Sequence, residues 1–156
     1  MIKRIALFIS IFISFNLANA QGDYTFDTEC MGVEMDGSVT LKAWGNGRNY
    51  FDALEQAKKV AVRDVVFKGI KNGKSDCSQT PLILDPHAQT KHEEYFAKLL
   101  ADNGEYLKFV NLKDEKLNQK AKRDKKQARE SVTLAAVVRV DKLALKKKLI
   151  EDGIIK

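Results

Sequence analysis

VTLKAWGNGRNYFDALEQAKKVAVRDVVFKGI, residues 39–70, carries the change of hydrophobic period that sets the fold class. In Ser38–Trp44, Val39, Leu41 and Ala43 alternate with Thr40, Lys42 and Trp44. A period of two describes a strand with one face buried. Gly45-Asn46-Gly47 consists of turn-forming residues, so the strand is expected to stop there. From Tyr50 to Ile70 the period lengthens. Phe51, Leu54, Ala57, Ala61 and Val65 recur at three-four spacing, and Val60, Val62, Val66 and Ile70 widen the stripe. Glu55, Lys58, Lys59, Arg63 and Asp64 fall on the expected solvent side of that amphipathic helix. Asn49 is its expected N-cap, with Asp52 in the first turn, and Gly69 followed by Asn72-Gly73 closes it.

Outward from this unit the pattern continues. Lys74–Thr90 contains Cys77, Pro81 and Pro86 and reads as a loop with a small apolar patch, Leu82-Ile83-Leu84. Lys91–Asp102 reads as a second helix with Tyr95, Phe96, Leu99 and Leu100 inward. Glu105–Leu112 alternates and predicts a strand. Residues 113–130 are strongly charged and predict a hairpin. Ser131–Val140 is the best strand of the chain. Val132, Leu134, Ala136, Val138 and Val140 share one face, and Ala135 and Val137 make the other face small and apolar, as suits a central strand. Asp141 then caps a closing helix that runs to Asp152. Upstream, Gln21–Asp36 reads as an extended lead-in anchored by Tyr24, Phe26, Cys30 and Met35. Together these elements predict an α/β (α+β) domain of two layers. A small, mainly antiparallel sheet is covered by two to three helices, Tyr50–Ile70, Lys91–Asp102 and Asp141–Asp152.

Met1–Arg4 is basic, Ile5–Leu17 is an apolar run and Ala18-Asn19-Ala20 is a small-x-small cleavage signature. These are the parts of a secretory signal peptide over residues 1–20. The apolar run, about 13 residues, falls short of the roughly 20 that span a bilayer. No cysteine follows it closely enough to accept a lipid, since Cys30 is the first. Residues 21–156 are therefore expected to form one periplasmic or secreted domain and not an integral membrane protein. In an oxidising compartment Cys30 and Cys77 are expected to form one disulfide. The whole chain has 156 residues, 44% of them hydrophobic and 31% charged, with a formal net charge of +6. That composition suits a single globular domain with a heavily charged surface.

Two stretches carry a family resemblance. One is residues 39–70 as quoted. The other is the pair EYLKFVNLKDEK (residues 105–116) and SVTLAAVVRVDKLALKKKL (residues 131–149), a hairpin leading into a helix. Together, over Ser38–Ile150, they resemble the FlgT N-terminal-like family of small bacterial periplasmic and envelope α/β domains. The resemblance implies a compact domain with helices on one face of a small sheet, and a role in assembly and interaction instead of catalysis. The chain departs from that pattern in the Lys74–Thr90 insertion with Cys77 and in lacking a lipid-acceptor cysteine.

The chemistry-bearing residues are few. Between Lys116 and Arg129 lie seven basic residues, Lys116, Lys120, Lys122, Arg123, Lys125, Lys126 and Arg129, against one acid, Asp124. Such a run is either a solvated hairpin tip or a contact for anionic lipid headgroups or polysaccharide. It holds no aromatic residue on which a base could stack, which points away from nucleic acid. Gly45-Asn46-Gly47 ahead of a helix is open to reading as an anion-cradling turn assisted by Arg48, but a complete phosphate-loop motif is absent. His87 and His92 are five apart, wider than the three or four residues that place two ligands on one helix face, so no metal site is expected. Cys77, taken up in a disulfide, leaves no thiol for a Cys–His nucleophile. Trp44 is expected in the core, against Leu54 or Tyr50; the alternative, a solvent-facing Trp44, would mark a binding surface. No nucleophile–base arrangement emerges, no cofactor is called for, and the expected function is non-enzymatic protein–protein contact with an envelope partner. The alternative is a module that binds anionic envelope components through residues 116–129.

Overall fold

Alternation and helical period convert into a five-stranded mixed sheet with helices packed on it. The structure, a computed structural model, describes residues 26–77, 79–113 and 131–156. Strands β1 (Glu29–Val33), β2 (Val39–Gly47), β3 (Asn72–Gly73), β4 (Val110–Leu112) and β5 (Val132–Val140) lie in the order β3-β1-β2-β5-β4. Only the β1–β3 pair is parallel. β2 and β5 pair antiparallel over nine residues, from Val39 opposite Val140 to Gly47 opposite Val132. That long unbroken ladder is the spine of the sheet. β5 has a neighbour on each side, as its apolar character predicts.

Helix α1 (Tyr50–Arg63) runs on without a break into a π-helical turn, Asp64–Lys68. The Asn49 side chain accepts from the Asp52 N–H, which makes it the N-cap the sequence predicts. The inward stripe is Ala53, Leu54, Ala57, Ala61, Val62, Val65 and Val66. Phe51, expected on that stripe, is 76% exposed. Asp64, expected in solvent, is buried, because the wider π turn rotates the last residues relative to an α-helix. The turn ends at Gly69, whose φ of 72° requires glycine and whose N–H donates to the Asp64 carbonyl. Asn72-Gly73 is thus not the helix stop; it is β3, lying parallel to Glu29-Cys30 of β1.

Three further expectations are corrected. β2 does not stop at Trp44 but runs through Gly45-Asn46-Gly47. A Cβ on Gly45 would lie 2.0 Å from the Ala53 carbonyl oxygen, and one on Gly47 would lie 2.3 Å from the Ala53 nitrogen. The glycines let α1 rest directly on the strand backbone, a use that local sequence cannot distinguish from a turn. Glu105–Leu112 is not one strand. Glu105–Phe109 is a 3₁₀ helix that buries Tyr106 and Phe109 three residues apart, and only Val110–Leu112 pairs as β4. The second helix is shorter than Lys91–Asp102: it is α3 (Glu93–Leu99), and a one-turn helix, α2 (Ala88–Lys91), forms at the end of the expected loop, with His92 between them. The closing helix, α4 (Lys142–Glu151), has Asp141 as its N-cap, accepting from the Ala144 N–H.

One core joins these elements. Val39, Leu41 and Ala43 of β2 and Leu134, Ala136, Val138 and Val140 of β5 meet Ala57 and Val62 of α1, Phe96 and Leu99 of α3, and Leu145 and Leu149 of α4. Cys30 and Cys77, each 1% exposed, are joined by a disulfide with 5.7 Å between their Cα atoms. It ties β1 to the 3₁₀ turn Ser75–Cys77 that follows β3. Among the described residues, no helix is long and apolar enough to cross a membrane.

Candidate functional site

The residues of β2 and β5 that do not enter the core form the second face of the sheet. Register places Thr40 opposite Arg139, Lys42 opposite Val137, Trp44 opposite Ala135 and Asn46 opposite Thr133. Lys42, Trp44, Ala135, Val137 and Arg139 are half-buried, and Asn46 and Thr133 are exposed. The buried apolar residues of α1, α3 and α4 belong to the core on the opposite face. The second face is therefore a side-chain surface of mixed character, with an apolar strip at Trp44, Ala135 and Val137 between polar clusters.

Ion pairs order one end of this face. Arg139 donates through Nη2 to Asp36 Oδ2 at 2.6 Å and through Nε to Ser38 Oγ at 2.6 Å. Ser38 donates its hydroxyl to Asp36 Oδ1 at 2.6 Å and its N–H to the same oxygen at 3.0 Å. These hydroxyl and backbone donors, with the guanidinium, hold the Asp36 carboxyl far below the usual carboxylate range. Lys113 pairs with Glu34, and Thr40 donates to Glu34 Oε1 at 2.8 Å. The Lys113 bond first, then the Thr40 hydroxyl, lowers the Glu34 carboxyl.

The other end is aromatic. The Phe26 and Trp44 rings approach to 4.6 Å between centroids, tilted by 33°. The Lys42 ammonium lies 5.3 Å from the centre of the Trp44 ring and 3.2 Å from Glu29 Oε2. Trp44 is thus not in the core against Leu54 or Tyr50, as expected, but on the face that strict alternation with Val39, Leu41 and Ala43 assigns it. A hollow of about 460 Å³ opens beside these rings, lined by Phe26, Asp27, Glu29, Trp44, Asn72 and Gly73. A neighbouring hollow of about 200 Å³ shares Asp27 and Asn72 and reaches Thr28, Asp64 and Lys68.

The residues singled out from sequence fall elsewhere. Arg48 follows β2, with its side chain 90% exposed and its Nε 3.1 Å from Asp52 Oδ2. Its N–H donates to the same carboxylate oxygen at 3.0 Å. Asp52 and Asn49 thus engage donors at the start of α1, and Gly45 and Gly47 are pressed against the helix. Lys120, Lys122, Arg123, Lys125, Lys126 and Arg129 lie outside the described residues, as do residues 1–25 with the signal-peptide reading. His87 and His92 stand at the two ends of α2, and the His87 N–H donates to Asp85. Among the described residues, no group of three or more His, Cys, Asp or Glu side chains is arranged to hold a metal. Sequence reasoning did not single out Asp27 or Glu29 and took Asn72 only as part of a helix stop. They are isolated polar residues in the sequence, and only the pairing of β3 with β1 brings them together.

No protein-family model, no curated protein and no solved structure matches the chain.

Proposed function

We propose that this is a non-enzymatic bacterial envelope protein, secreted or periplasmic, that acts by protein–protein contact in an assembly or accessory role. The observation that carries the reading is the second face of the β2–β5 ladder, where Trp44, Ala135 and Val137 form an apolar strip flanked by fixed ion pairs. A sheet that buries one face against helices and presents a partly apolar other face has the makeup of an interface core with a polar rim. The buried disulfide fits an oxidising compartment. The resemblance to FlgT N-terminal-like envelope domains points the same way.

The test is capture of partners from envelope extract by the purified, disulfide-bonded protein at low and high salt. Raising salt from about 0.1 M to about 1 M shortens the screening length from about 10 Å to about 3 Å. An interface with an apolar centre keeps its protein partner through that change. Recovery of anionic lipid or polysaccharide alone, lost at high salt, would overturn the reading in favour of the basic run at residues 116–129.

A further inference from the structure

Helix α4 has two apolar sides, and only one of them enters the core. Leu145 and Leu149, four residues apart, are fully buried. Leu143 and Ile150, seven apart, share the opposite side and are 59% and 46% exposed. A surface helix ordinarily carries polar residues there. Helical spacing sets Lys146 on one flank of the Leu143–Ile150 line and Lys147 on the other, and both are exposed. The β1–β2 turn prolongs the stripe. A Cβ on Gly37 would lie 2.8 Å from Leu143 Cδ1, so the Leu143 side chain rests against that turn. Met35 is two residues before Gly37, hence within about 7 Å of it, and is fully exposed.

The stripe carries charge of one sign. Lys146 has no ion-pair partner among the described residues. Lys147 makes a loose pair, 3.7 Å from Glu151 Oε1 with both side chains largely exposed, and such a pair contributes little. Glu34 and Asp36, on either side of Met35, are engaged by Lys113 and Arg139.

This chemistry narrows the occupant. A two-fold contact with a second copy would set Lys146 and Lys147 against the same lysines of the other protomer. An anionic polysaccharide meets the lysines but leaves Met35, Leu143 and Ile150 in water. An anionic lipid surface matches both, with phosphates at the level of the lysine heads and hydrocarbon just beneath them. Lysine stems can lie along the apolar stripe while their ammonium groups reach the phosphates. The stripe is also convex, a turn tip beside a helix ridge, and the two hollows described above are lined by other residues.

We infer that the protein docks peripherally on an anionic lipid bilayer through Met35, Leu143 and Ile150, with Lys146 and Lys147 on headgroup phosphates. The inference goes beyond the protein-contact reading and does not depend on it. It uses neither the Trp44–Ala135–Val137 strip nor residues 116–129.

The experiment measures co-sedimentation of the purified, disulfide-bonded protein with vesicles of phosphatidylcholine alone and of phosphatidylcholine mixed with phosphatidylglycerol. Binding to the mixed vesicles at millimolar lipid, and weaker binding to phosphatidylcholine alone, is expected. Lys146→Gln with Lys147→Gln should weaken binding to the mixed vesicles about twenty-fold, about fivefold per lysine. Leu143→Gln with Ile150→Gln, at exposed positions in a residue type that favours helix, should weaken it about tenfold and melt with the wild-type protein. The lysine pair, remote from the core, keeps the test sound if the apolar pair unfolds the helix. Absence of binding to the mixed vesicles would overturn the inference. Binding left at wild-type level by both pairs of substitutions would overturn it too and place the contact at residues 116–129. Loss, in these variants, of a protein captured from envelope extract, with no vesicle binding by the wild type, would make the stripe a protein interface instead.

Discussion

The two faces of the β2–β5 ladder share one backbone and follow different rules. Inward, β2 presents Val39, Leu41, Ala43, Gly45 and Gly47, shrinking toward the point where α1 touches the strand. Outward, it presents Thr40, Lys42, Trp44 and Asn46, each engaged with a specific neighbour: Glu34, Glu29, Phe26 and Thr133. The inner face is fixed by volume and the outer by pairing. Substitutions should therefore cost folding on one face and recognition on the other.

The largest effects belong to the buried side. Replacing Cys30 and Cys77 together by Ser removes a cross-link of sequence separation 47, and is expected to lower stability by about 3–4 kcal/mol, read by denaturant unfolding. Gly45→Ala should cost about 3 kcal/mol, since its Cβ would meet the Ala53 carbonyl oxygen at 2.0 Å and the Ala57 nitrogen at 2.4 Å, both backbone atoms that cannot rotate away. If Gly45→Ala were neutral, the close approach of α1 to β2 would be wrong, and the turn reading of Gly45-Asn46-Gly47 would return.

The smallest effect belongs to the outer face. Asp27, Glu34 and Asp36 have carboxyl groups lowered by hydrogen-bonded partners: Lys68, Lys113, and Ser38 with Arg139. A carboxyl with a lower pKa folded than unfolded contributes stability above its unfolded value, about 4, and loses it as pH falls through the folded value. The melting temperature should therefore stay level from pH 7 to pH 5 and decline below about pH 4. Asp36→Asn should lower the melting temperature slightly at pH 7 and make the acid decline shallower, so that variant and wild type converge in acid. A melting temperature that rose on acidification would contradict these pairings.

The inner face was legible in sequence because burial imposes a period. Val39 to Ala43, Leu134 to Val140 and the Ala53–Val66 stripe announce themselves by spacing alone. Legibility failed where a residue type serves two purposes. Glycine in β2 permits contact with a helix, yet reads as a turn. Tyr106 and Phe109 belong to a 3₁₀ helix, yet Tyr106, Lys108 and Val110 alternate like a strand. The hollow was illegible for a different reason. Phe26, Trp44 and Asn72 are separated by 18 and 28 residues, and the two-residue strand β3 that unites them is too short to carry a period.

The central claim, that the outer face of the β2–β5 ladder is the contact surface, is tested most directly by Val137→Glu. Val137 is half-buried on that face and stands opposite Lys42, so a glutamate there gains an opposite-charge neighbour across the strands and leaves the core untouched. The variant should melt with the wild-type protein and lose the salt-resistant partner recovered from envelope extract. Retention of that partner at wild-type level by a folded Val137→Glu protein would contradict the claim.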